Sequence, residues 1–285
     1  MNQYHSYLKR LNFKALTERI QTYRSLDFTE LDTNGLLNAL LDVLCVSDGK
    51  KSYHVLPTAG GPQDSGKRFY RARKIGREEN PLTPKKIRIE SDAWNPPQDY
   101  AGAGRVNRKG NSLLYTAEDP STAVIETRIS DHEPFAMIVY ESIKPLHIRA
   151  IAPPNNIENT LSADELEKSR MLFDFLLSEF RRDSGADGSH VYRASELIAD
   201  SFFPNPEADA WWYESTLIRN QYNYCFKPER AKEKLKIIGI TIASSVRYTN
   251  SMIFNFLSTC ENMNNGGEFR FEEPHNIQNL FPEFF

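Results

Sequence analysis

The stretch Gly104–Glu126, GRVNRKGNSLLYTAEDPSTAVIE, passes from a glycine-containing polar loop into a short apolar run and then into a capped helix. Ser112 to Thr116 has the apolar and aromatic content of a buried strand. Asp119 stands where its carboxylate can take an amide hydrogen of the next turn, and Pro120 occupies that turn, where a missing amide hydrogen costs little. Glu126 then falls about two turns into the helix, after Ala123, Val124 and Ile125, so its carboxylate lines a pocket rather than open solvent. Singly, Arg105, Tyr115 and Glu126 have ordinary roles as a surface charge, a strand aromatic and a partner for Arg128. Together, an arginine, an aromatic ring and a carboxylate suit a dinucleotide.

Outward from this stretch the pattern is mixed, and the expected fold class is α+β. Leu8, Leu11, Phe13, Leu16 and Ile20 recur at helical spacing, and TNGLLNALLDVLCV repeats the pattern, so the first 48 residues read as two helices. Ser47–Gly66 is rich in Gly, Asp, Ser and Pro and reads as a linker with a short strand near Tyr53–Leu56. Strands are expected at Arg68–Arg73, Phe135–Ser142 and His147–Ile151. Ser162 and Glu165 have capping-box spacing, and Leu166, Phe173, Leu176, Leu177 and Phe180 form an apolar face on the helix that follows. A second helix covers Tyr192–Phe202. WWYES and NYCF read as strands, PERAKEKL as a short helix and KIIGITIASSV as a closing strand. Beyond Asn250 the pattern weakens to a flexible NMNNGG turn and an aromatic docking tail. This divides the chain into a helical extension and linker (1–60), a catalytic domain (61–245) and a tail (246–285).

Lys plus Arg total 35 against 38 Asp plus Glu, which leaves no positive surplus for a nucleic-acid backbone. Cys45, Cys225 and Cys260 are an odd set without a C-x-x-C pair and read as reduced thiols. No apolar run approaches a membrane span, so a cytoplasmic protein is expected. GGPQDSGKR places Gly61, Gly66 and Lys67 at phosphate-loop spacing, but Arg68 stands where a Ser or Thr must reach magnesium, and FYRAR after it is strand-like. The six histidines are scattered without a zinc-ligand grouping, so no metal is expected. Glu207 and Asp209 read as solvated loop charges.

An ordered set of pieces carries a resemblance: FYRAR at Phe69–Arg73, WNPP at Trp94–Pro97, GRVN at Gly104–Asn107, LLYTA at Leu113–Ala117 and TAVIE ending at Glu126. YRASELIAD, WWYES ending in Ser215, and NYCF from Asn223 follow. Over roughly residues 65–240 the chain resembles the RES-domain family, toxin enzymes that destroy NAD. The resemblance implies a core like that of ADP-ribosyltransferases. It implies the catalytic set Arg105, Tyr115, Glu126 and Ser215, with Arg71, Arg105, Tyr115 and Asn223 facing the ligand. Ser195 is a rival to Ser215. Ala103, Gly104, Arg105 and Val106 replace the family's Gly-Gly-Arg-Trp, which removes one aromatic wall from the site.

The resemblance further implies NAD as substrate with no separate cofactor, and phosphate, water or a protein side chain as acceptor of the ADP-ribose. Arg73, Arg108 and Lys109 are available to favour inorganic phosphate. A cognate antitoxin is the implied protein partner, and a homo-oligomer is compatible with the extra helices. Protein-directed ADP-ribosyl transfer and an inert NAD- or partner-binding module are the alternative readings; transfer of label from NAD to protein, or binding without turnover, marks each.

Overall fold

Asn12 divides the N-terminal apolar pattern. Its side chain accepts the amide hydrogen of Ala15 at 3.0 Å, capping a new helix, so the segment read as two helices holds three. The computed structural model describes residues 3–47, 49, 52–56, 59–152, 160–182, 191–203, 207–249, 251–261 and 267–284.

In chain order come α1 (Gln3–Arg10), α2 (Phe13–Arg24), α3 (Thr33–Leu44), β1 (Val46–Ser47), β2 (Ser52–Tyr53), β3 (Ala59–Gln63) and β4 (Arg68–Lys74). The middle of the chain forms α4 (Glu90–Ala93), β5 (Leu114–Ala117), α5 (Pro120–Glu126), β6 (Phe135–Ser142), β7 (Leu146–Ala150) and α6 (Ala163–Arg181). The remainder forms α7 (Val191–Phe202), β8 (Ala210–Glu214), β9 (Tyr222–Phe226), α8 (Pro228–Lys234), β10 (Leu235–Arg247), β11 (Met252–Cys260) and α9 (Ile277–Leu280). The class is α+β, with helices preceding the sheet. Among the described residues no helix is long and apolar enough to cross a membrane.

Two compact units divide the chain. The first, Met1–Gly61, Gly102–Asn111 and Arg149–Glu207, is largely helical. The expected capping box opens α6: Ser162 donates its amide hydrogen to Glu165 Oε2 at 2.9 Å and accepts that of Glu165 at 3.4 Å. Leu172, Phe173, Phe175, Leu176 and Phe180 are buried on α6, whereas Leu166 and Leu177 are only partly covered. Tyr4 of α1 donates to Ser169 at 2.8 Å, and Tyr23 of α2 donates to Glu179 at 3.1 Å while Phe175 meets its ring edge-on at 5.0 Å.

Burial raises the Glu179 carboxyl above its usual range, against the opposing pull of Arg182, whose Nε lies 2.8 Å away. The folded state therefore holds this proton more tightly than the unfolded chain. The resulting stability is complete below the unfolded carboxyl pKa and is lost as pH rises through the folded one. Glu179→Gln, which cannot titrate, is expected to flatten the fall of the melting temperature as pH rises above about 4, measured by calorimetry.

The second unit, Pro62–Ala101, Ser112–Ile148 and Ala208–Phe285, is built on a sheet of order β11-β10-β6-β4-β5-β9-β8-β7-β3. Phe69, Ile138, Tyr140, Leu114, Tyr224 and Phe226 cluster on one face. Tyr70, Ala72, Ala117, Met137 and Val139 cluster on the other, with Ala123 and Val124 of α5 packed among them. Both faces are covered, which is why β6 is apolar almost throughout. The glycine loop before β4 holds no helix N-terminus, and the Lys67 ammonium is spent on Glu118 and on the Tyr224 hydroxyl, each at 2.7 Å.

Two further features depart from the sequence reading. Met252–Cys260, where the pattern weakens, is the strand β11, paired with β10 from Arg247↔Met252 to Ile240↔Cys260 across a register shift. Asp209, expected in solvent, is 1% exposed. It accepts the amide hydrogen of His147 at 2.7 Å and the Lys234 ammonium at 2.7 Å, with Arg230 Nε at 3.7 Å. The aromatic tail docks as expected: Leu280 and Phe281 are buried, and Phe281 stacks on Phe256 at 5.3 Å and on Tyr70 at 6.0 Å. Gly239 makes room for it, since a Cβ there would lie 2.5 Å from Leu280 Cδ2. Residues 262–266 of the expected NMNNGG turn lie outside the described residues.

Candidate active site

The helix that presents Glu126 is fixed at both ends by side chains. Asp119 accepts the Thr122 amide hydrogen at 3.0 Å, and the Thr127 hydroxyl donates to the Ala123 carbonyl at 2.8 Å. Arg128 then turns the chain in the left-handed region at φ 52°. Glu126 is the last residue of α5, the end where the helix dipole disfavours a carboxylate. A compensating donor comes from β9: Asn223 Nδ2 donates to Glu126 Oε1 at 2.7 Å. Asn223 is 5% exposed and Glu126 partly exposed, and the strand sets the geometry of the bond.

Strand register arranges the surrounding groups. Ala117 pairs with Asn223 and Asn223 with Tyr213; Tyr115 pairs with Cys225 and Cys225 with Trp211. Alternation along each strand puts all six residues on one face, the face that α5 covers. The Cys225 thiol donates to the Tyr213 hydroxyl at 3.8 Å, and the Tyr115 hydroxyl bonds the same sulfur. Burial pushes the Tyr213 phenol and the Cys225 thiol well above their usual ranges. Both stay protonated and place no charge beside Glu126. The sequence marks Tyr213 and Cys225 as strand residues only; their part in the site emerges from the register of β5, β9 and β8.

Ser215 follows β8 directly. It is 3% exposed, its amide hydrogen bonds the Gln221 carbonyl at 2.6 Å, and its Oγ accepts the amide hydrogens of Leu217 and Ile218, each at 3.1 Å. With its oxygen used as acceptor, the hydroxyl retains its proton to donate. Ser195 is different: its hydroxyl donates to the Tyr192 carbonyl within α7 at 3.1 Å. Arg71 alternates with Tyr70 and Ala72, so it lies on the sheet face opposite Tyr115 and Asn223. Its guanidinium donates to the Ala93 carbonyl at 3.3 Å and bonds the Tyr140 hydroxyl.

Arg105 belongs to the first unit, on the Gly102–Asn111 loop. Asn107 holds that loop, its Nδ2 lying 2.9, 3.0 and 2.8 Å from the carbonyls of Gly102, Arg108 and Asn111. Arg105 is 8% exposed, its guanidinium carbon sits 4.9 Å from the Tyr192 ring centroid, and its Nη1 has no hydrogen-bond partner among the described residues. A buried, unanswered guanidinium nitrogen is costly unless an anion meets it. Of the cations expected to favour phosphate, Arg108 is paired with Glu196 and Asp200, and Arg73 donates to the Asp92 carbonyl at 2.6 Å.

The fold and this cluster describe an α+β domain with a carboxylate, phenol and amide gathered on one covered sheet face. The RES domain profile matches residues 79–249, more than half of the sequence, and the chain belongs to the RES-domain family. Arg105, Tyr115, Glu126, Ser215 and Asn223 lie within the match, and Arg71 lies before it. Membership carries a family-level reading, an NAD-related function of the toxin kind. No curated protein matches the chain significantly.

Proposed function

We propose that the protein cleaves the bond between nicotinamide and ribose in NAD, as a phosphorylase or glycohydrolase, and acts as a toxin by depleting NAD. The observation that carries the reading is the Asn223-anchored Glu126 carboxylate at 2.7 Å, set among protonated groups. Departure of nicotinamide with the bonding electron pair leaves positive charge shared between the ribose C1′ and ring oxygen, and a fixed carboxylate beside the ribose stabilises it. A bond from Glu126 to the ribose 2′-hydroxyl strengthens as that charge grows. Tyr115 offers a ring face to nicotinamide or ribose, and Ser215 donates a hydrogen bond that orients the substrate. Arg105 supplies the planar fork for pyrophosphate oxygens, a geometry lysine does not copy.

The acceptor oxygen, from phosphate or water, then bonds to C1′ and gives up its proton to solvent. Neither nicotinamide departure nor acceptor attack requires a metal or a second cofactor. Chromatography of purified protein with NAD, in phosphate and in phosphate-free buffer, tests the proposal. Release of free nicotinamide is expected, with ADP-ribose 1″-phosphate in phosphate for a phosphorylase and ADP-ribose in both buffers for a glycohydrolase. A folded protein that leaves NAD intact in both buffers overturns the reading.

A further inference from the structure

We propose that Cys225 and Tyr213 are positioning residues for Tyr115: the thiol, held between two phenol hydroxyls, fixes the Tyr115 ring on the sheet face that carries Glu126. The inference rests on the NAD reading for its catalytic meaning but on geometry for its structural content. Cys225 is fully buried and stands on β9 between Tyr115 of β5 and Trp211 of β8. Its thiol donates to the Tyr213 hydroxyl at 3.8 Å and bonds the Tyr115 hydroxyl as well. Tyr213, 4% exposed, needs polar contact for its hydroxyl, and the thiol supplies it.

A thiol is small and both donates and accepts weakly, so it spans two hydroxyls without introducing charge. Tyr115, by contrast, is partly exposed and can meet a ligand with its ring. The chain of contacts therefore runs from a sealed anchor to an accessible aromatic surface. Asn223, two residues from Cys225 on the same face of β9, ties Glu126 to the same strand. One strand thus sets both the carboxylate and the ring.

The test uses Cys225→Ser, which keeps a bridging hydroxyl, Cys225→Val, which fills the space without one, and Tyr213→Phe. Steady-state nicotinamide release is measured together with NMR of ¹³C-labelled tyrosine, the Tyr115 signal being assigned by its loss in Tyr115→Phe. Cys225→Val and Tyr213→Phe are expected to raise KM for NAD about three- to tenfold, the worth of one hydrogen bond, and to shift the Tyr115 signal without ligand. Cys225→Ser is expected to restore both. An unmoved Tyr115 signal in folded Cys225→Val and Tyr213→Phe, or a KM equal to wild type in both, overturns the proposal. If wild type leaves NAD intact, the NAD reading falls separately and the Tyr115 signal alone decides the positioning role.

Discussion

Glu126→Gln is expected to lower kcat for nicotinamide release by about 10²- to 10³-fold, the loss typical of a preorganised electrostatic group removed from its site. Glutamine preserves size and can still meet Asn223, so α5 and β9 should keep their places. What it lacks is the negative charge that the cationic ribose requires. Because the charge matters most in the transition state, KM should change far less than kcat. Circular dichroism and melting temperature close to wild type would show that the fold is intact, and turnover within a factor of about three of wild type would remove Glu126 from the mechanism. Asn223→Ala should act in the same direction with a smaller loss, since it frees the carboxylate without discharging it.

The largest effect on stability is expected at Asp209. Replacing it with alanine strips the Lys234 ammonium of its nearest anion and leaves the His147 amide hydrogen unanswered, in a place where Asp209 itself is 1% exposed. Breaking a buried ion pair by removing one partner costs about 3–5 kcal/mol. For a chain of this size that lowers the melting temperature by roughly 6–20 °C. Lys144→Ala makes a suitable contrast: Lys144 pairs with Glu233 at 3.2 Å with both side chains about half exposed, and an exposed pair adds far less to stability than a buried one. Urea denaturation of the two variants measures the difference directly. Equal midpoints would show that the Asp209 cluster is no stronger than a surface pair.

Local chemistry made much of the fold legible. Asp119 with Pro120, and Ser162 with Glu165, marked helix starts because a cap is specified by residues within one turn of each other. The family resemblance drew Arg71, Arg105, Tyr115, Glu126, Ser215 and Asn223 into one candidate set; the second unit holds all of them but Arg105, and Arg71 lies on the sheet face opposite Tyr115 and Asn223. Part of what escaped depends on residues distant in sequence. Asp209 read as solvated because its cations, Arg230 and Lys234, follow more than twenty residues later. The break at Asn12 was hidden because apolar spacing continues through it, and only the cap reveals the restart. β11 was obscured by Asn255 and Ser258, polar residues that interrupt its apolar pattern. Cys225 and Tyr213 could not be assigned to the site without strand register, since a shift of one residue would turn them to the opposite face.

The Asn107 amide gives the Arg105 loop a fixed length. One side chain ties carbonyls at positions 102, 108 and 111, so every residue between them is counted. Surface loops ordinarily absorb insertions at little cost because closure entropy grows slowly with length. Here an added residue would dissolve the tie before it lengthened the loop, and the arginine would lose its bearing while the rest of the chain folded normally. Sequence drift in relatives should therefore accumulate as substitution within this loop and as insertion elsewhere.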